Sequence, residues 1–114
     1  ATIDVTTYLS RIVKFLELSE IELIHILIIM DRLLRNAFIL LNGKNVHKLI
    51  LICSYISDKM LKDSVYPNSY YSAVYGISIK EIIELEYQCL EALEYNLLVS
   101  EEDFNSYVET ISLC

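Results

Sequence analysis

Histidine and cysteine carry the chemistry most easily read from a sequence, and here they are few and scattered. His25 and His47 are far apart in sequence, and neither has a Ser or Cys set beside it as a nucleophile would require. Cys53, Cys89 and Cys114 are odd in number and form no CxxC pair, so neither a disulfide framework nor a zinc site is indicated. With only two glycines in the chain there is no Gly-rich loop to cradle a phosphate. His47 falls in the first turn of an expected helix, where the dipole disfavours a positive charge, so it reads as a neutral, packed or capping histidine. These residues imply no catalysis, no cofactor and no metal.

Charges in apolar settings say more. At about 100° per residue, Ile79, Ile82, Ile83, Cys89, Leu90, Leu93 and Leu97 form a stripe with Glu86 near its centre. A carboxylate there must be protonated, bonded to a cation of the same domain, or offered to a partner, because leaving it unpaired costs several kcal/mol, of order 3–5, in lost hydration. Asp31 has the same setting among Ile24, Leu27, Ile28 and Leu34, and Arg11, at the edge of an earlier apolar face, is its expected ion-pair partner. Lys59 stands at the border of another apolar sector, where its stem can lie along the core with the ammonium at the rim. The cluster Tyr66, Tyr70, Tyr71 and Tyr75 fits either an interface or the edge of a core.

Helices must position these groups. Ile, Leu, Glu and Lys recur at spacings of three and four, and breakers are scarce. A first helix is expected from about Asp4 to Leu16, and a second, opened by the capping box Ser19/Glu22, to about Asn36. The second is apolar on nearly every side, which predicts that it is central. Asn42-Gly43-Lys44 supplies a turn before a third helix, Asn45 to about Leu61, which ends ahead of Pro67. A short helix from Asn68 to Val74, closed by Gly76, leads to Ser78/Glu81 as a second capping box and a fourth long helix from Ile79 to about Glu94. Ser100 before Glu101, Glu102 and Asp103 caps a fifth. Residues 1–114 are therefore read as a single all-α domain, a five-helix bundle around an apolar helix.

The 114 residues carry sixteen acids against nine bases, a net charge of −7, which would repel a phosphate backbone. Nucleic acid is therefore not expected as a partner. The most apolar run, 21–34, is interrupted by Glu22, His25, Asp31 and Arg32 and falls short of a bilayer's thickness, so no membrane role is expected either. The opening ATIDVTTYLS has no basic cluster or long apolar stretch, and the chain reads as a domain excised from a longer protein of a reducing intracellular compartment, cytoplasm or nucleus.

The strings YLSRIVKF, MDRLL, NVHKLILICSYISDKMLKD, NSYYSAVYGIS and ELEYQCLEAL, in that order, resemble the successive signatures of a P/U-type (phosphate-pathway-like) cyclin box. The resemblance implies the cyclin-box fold and a regulatory subunit that binds and activates a cyclin-dependent protein kinase by docking near its C helix. It also implies that Lys59 and Glu86 hydrogen-bond the kinase, in a groove that would include Lys62 and be rimmed by Tyr66 and Tyr70. Lys48, Ser57, Asp58 and Tyr75 depart from the family pattern and mark a divergent member, while no string like the substrate-docking MRAIL motif is present. The alternative is a cyclin-fold adaptor that mediates protein contacts without activating a kinase, in which Glu86 is consumed internally. A homodimer would arise only as a by-product of a missing kinase.

Overall fold

A computed structural model describes residues 3–35 and 46–112, and among these it contains six α-helices and no strand. They are α1 (Val5–Phe15), α2 (Glu20–Arg35), α3 (Val46–Leu61), α4 (Asn68–Tyr75), α5 (Ile79–Ala92) and α6 (Glu101–Ser112). The expected all-α bundle is present, with the short Asn68–Tyr75 segment standing as a helix beside the five long ones. The Asn42-Gly43-Lys44 turn, the start at Asn45 and Cys114 lie outside the described residues.

The helix ends follow local chemistry. Asp4 accepts the Thr7 amide at 2.8 Å, and Ser19 and Glu22 form the full reciprocal box, each backbone N–H donating to the other's side chain. Ser78 accepts the Glu81 amide at 3.1 Å, but only half of the second box forms, because the Glu81 carboxylate turns to Lys48 instead. Ser100 caps α6 through the Asp103 amide. Gly76 closes α4 at φ 73°, a conformation that glycine reaches without steric cost. Glu17, Glu94 and Tyr95 take up left-handed conformations just past α1 and α5.

The central helix is α3, which corrects the expectation for α2. Every residue from Leu49 to Asp58 is buried, whereas α2 leaves Leu27 and Leu34 about two-fifths exposed on its outer side. Helix α3 packs against α1, α2 and α5 at once. It can be surrounded because its polar residues are satisfied internally. The Ser54 hydroxyl bonds the Leu51 carbonyl and the Tyr75 hydroxyl, Ser57 bonds His25, and Asp58 accepts from Tyr71 and Lys62. Around it Ile12, Leu16, Ile29, Leu33, Tyr71, Ile82 and Cys89 fill the core.

Candidate functional site

Lys59 and Glu86 meet across α3 and α5. The Lys59 ammonium donates to Glu86 Oε2 at 2.9 Å and to the Tyr55 hydroxyl at 3.3 Å, and it sits 4.6 Å from the centre of the Tyr55 ring. The Tyr55 hydroxyl is fixed in turn by donating to Asn68 Oδ1. Burial works to lower the Lys59 pKa, but the hydrogen bonds it donates to Glu86 and Tyr55 outweigh it, and the ammonium is held above its ordinary value. The pair is not sealed: the Lys59 and Glu86 side chains are 36% and 22% exposed, and Glu86 Oε1 has no hydrogen bond among the described residues.

The surroundings of Glu86 explain its position in the apolar stripe. Ile82, Leu85, Cys89 and Leu93 turn into the core, whereas Ile79, Ile83 and Tyr87, one helical turn apart, remain 39%, 49% and 58% exposed. Glu86 therefore lies on the seam between a covered and an uncovered apolar sector. Tyr95, beyond the end of α5, extends the uncovered sector and interacts with Tyr87. This extent was missed from the sequence, where the spacing of Ile79, Ile83 and Tyr87 is indistinguishable from a core face.

The other expected groove residues go elsewhere. Lys62 turns into the domain, donating to both Glu22 oxygens at 2.9 and 3.0 Å, to Asp58 Oδ1 at 2.8 Å and to the Leu16 carbonyl at 2.9 Å. It is a structural cation that closes α1 and gathers two carboxylates. The Tyr71 hydroxyl donates to the second Asp58 oxygen at 2.6 Å. Burial is the largest influence on both acids. It raises the Asp58 pKa overall, whereas the hydrogen bonds from Lys62 and the Ser19 amide hold Glu22 below its ordinary value. Tyr66 and Tyr70 stack with centroids 4.6 Å apart and donate to carbonyls at the end of α1, Tyr66 to Leu16 and Tyr70 to Phe15.

The expected Arg11–Asp31 pair does not form. Asp31 pairs with Arg35 one turn along the same helix at 3.1 Å, while Arg11 donates to the Ala73 carbonyl of α4 at 3.0 Å. Asp31 is 40% exposed, so a local partner in solvent suffices. His47 Nε2 donates to the Ile3 carbonyl at 2.6 Å and packs on Tyr8, in keeping with a packed role. The fold does bring a serine to a histidine: His25 Nδ1 lies 2.7 Å from Ser57 Oγ. Ser57 has no exposed surface, and the cavity of about 340 Å³ that reaches His25 is not lined by it. That hydrogen bond satisfies two buried polar groups and offers no substrate a path to the hydroxyl.

Sequence comparison places the chain in a family. The cyclin family model matches residues 1–97. The chain belongs to the cyclin family. Its relatives include Cyclin-U4-1 of Arabidopsis thaliana, 36% identical over 93% of this chain and 53% of that protein. They include PHO85 cyclin-7 of Saccharomyces cerevisiae, 31% identical over 96% of this chain and 42% of that protein, and Cyclin-P3-1 of Oryza sativa, 31% identical over 92% and 44%. The P/U-type resemblance is thus supported along nearly the whole chain, which spans about half the length of the curated relatives it matches. No solved structure matches it at a significant level. Among the described residues of this cyclin, no helix is long and apolar enough to cross a membrane.

Proposed function

We propose that this cyclin binds a cyclin-dependent protein kinase through the Lys59–Glu86 face and activates it by holding its C helix inward, in the cytoplasm or nucleus. The observation that carries the reading is a half-open ion pair set on the edge of an uncovered apolar sector formed by Ile79, Ile83 and Tyr87. An ammonium with a donor to spare and a carboxylate with a free oxygen can bond the backbone of a docked segment while the apolar residues supply burial. Kinase catalysis needs the C-helix glutamate to reach the ATP-binding lysine. A rigid face that binds the inward position better than the outward one shifts that equilibrium by its difference in affinity. The cyclin performs no chemistry in this scheme.

The adaptor reading is favoured by one observation, that Glu86 already has an internal partner in Lys59. Against it stand the free Oε1 and the uncovered sector. The two are separated by a pull-down of kinases from the source cell with the wild-type domain beside Lys59→Ala/Glu86→Ala and Ile83→Asp variants, each shown to be folded. The kinase reading expects a cyclin-dependent kinase with the wild type and a loss of about two orders of magnitude in affinity in either variant. A folded wild-type domain that recovers no kinase supports the adaptor.

A further inference from the structure

Helix α2 is apolar on nearly every side, and a helix of that kind is normally buried on all of them. Among the described residues it packs chiefly against α3 and α6. Ile26, Ile29 and Leu33 turn into the core, while Ile28 and Arg32 line a cavity shared with α6. The remaining sector, set by helical spacing, carries Leu23, Ile24, Leu27, Met30 and Leu34. Leu27 and Leu34, at its centre, are 42% and 40% exposed, and the other three are half-buried. An apolar face of more than three turns is thus left facing outward.

The order of residues on this face matches its own reverse. Leu23, Leu27, Met30 and Leu34 follow at intervals of four, three and four, the spacing of a seam between two helices. Read backwards the intervals are the same, so the seam fits a reversed copy of itself, with Leu23 meeting Leu34 and Leu27 meeting Met30. The charges beside it are reversed in sign from end to end. Glu20 is exposed in the first turn of α2, and Arg35, 77% exposed, stands in the last turn on the same flank. Arg35 holds Asp31 through Nε at 3.1 Å, and a guanidinium carries further donors. Two antiparallel copies set Glu20 of each against Arg35 of the other and oppose their helix dipoles, whereas a parallel pair would set Glu20 against Glu20.

We infer that the outward face of α2 is the interface of a two-fold homodimer in which the α2 helices of two copies lie antiparallel. The leucines supply the burial, and the two Glu20–Arg35 contacts offset the repulsion between chains that each carry a net charge of −7. The face is about 23 Å long and about 10 Å across, so each copy buries well under the roughly 800 Å² of a standard interface. The dimer is therefore reversible, forming at micromolar concentrations. The face lies on a different helix from Lys59, Glu86 and Ile83, and the inference holds whether or not the kinase reading does.

Sedimentation velocity of the purified chain, from about 1 to about 500 μM, tests this. The wild type should pass from monomer to dimer across that range. Leu27→Asp should weaken association at least about tenfold while leaving the helical circular dichroism intact, since the side chain is 42% exposed. Arg35→Glu should weaken it as well, and adding Glu20→Arg to that chain should recover much of the loss, because only the antiparallel pairing brings these two positions together. Both charge reversals fall on exposed side chains, so they test the pairing even if Leu27→Asp does not fold. Ile83→Asp, on α5, should leave the dimer unchanged. A wild type that stays monomeric throughout, a dimer that survives Leu27→Asp in folded form, a dimer abolished by Ile83→Asp, or a double variant no tighter than Arg35→Glu would overturn the inference.

Discussion

Lys59 and Lys62 leave α3 within one turn of each other, and each forms an ion pair with a carboxylate at 2.9 Å, yet they do different work. Lys62 reaches inward to Glu22 and Asp58, whose side chains are 7% and 0% exposed, and to the carbonyl that ends α1. Lys59 faces a single carboxylate at a margin open to solvent, beside apolar residues that nothing among the described residues covers. The inward cluster has no spare capacity, because its oxygens are taken by Lys62, Tyr71 and the Ser19 amide. The outward pair retains donors and an acceptor. Spare hydrogen-bonding capacity, more than the presence of an ion pair, separates the surface that can recognise a partner from the one that holds the fold.

The comparison breaks most readily at Lys62. Lys62→Met should strand two buried carboxylates and destabilise the domain by about 3–5 kcal/mol, read from the midpoint of urea unfolding. A change below about 1 kcal/mol would mean that solvent reaches the cluster. Carrying Asp58→Leu in the same chain should recover part of the loss, since one of the stranded charges is then gone.

Base should weaken the interior next. Burial pushes Tyr8 up to about 12 from an ordinary 10.0, and Cys89 up to about 12 from 9.0, and it raises Cys53, Tyr71 and Tyr75 as well. Lys62 is also raised, because its hydrogen bonds to Asp58 and Glu22 exceed the lowering effect of burial. A group raised in the folded state keeps its full contribution below its unfolded value and loses it as pH rises through the folded value. Stability measured by denaturant should therefore hold up to about pH 9 and fall steadily toward pH 12. A profile flat across that window would contradict the burial of these groups.

The smallest effect on folding is expected at the outward pair. Lys59→Ala should cost less than about 1 kcal/mol, since a screened, part-exposed ion pair contributes little. If it costs as much as Lys62→Met, the contrast between the two lysines fails, and with it the case for a surface kept for a partner.

Much of this was legible in the residues. The Ser19/Glu22 box, the Asp4 and Ser100 caps and Gly76 are local chemistry, set within four residues, and the helices begin and end close to where those signals lie. The terminations at Glu17 and Glu94 were harder, because non-glycine residues take the left-handed conformation there without any signal in their own side chains. Glu86 was visible as a charge in an apolar stripe and Lys59 as a cation at the border of another, but neither their pairing with each other nor the half-covered nature of that stripe could be read. Arg11 and Asp31 were matched as the nearest opposite charges on two apolar faces. Arg11 found a carbonyl of α4 and Asp31 an arginine of its own helix.

By itself the sequence determined the class of fold, the helix starts, the acidic surface and the family, because each depends on composition, periodicity or order along the chain. The tertiary structure decided that α3 rather than α2 is central, that Lys62 belongs inside and Lys59 at the rim, and that Ile79, Ile83 and Tyr87 are left uncovered. A helical projection shows which residues share a face. What covers that face is settled by the packing of segments distant in sequence, where neighbours compete for the same buried area and the same hydrogen-bonding groups.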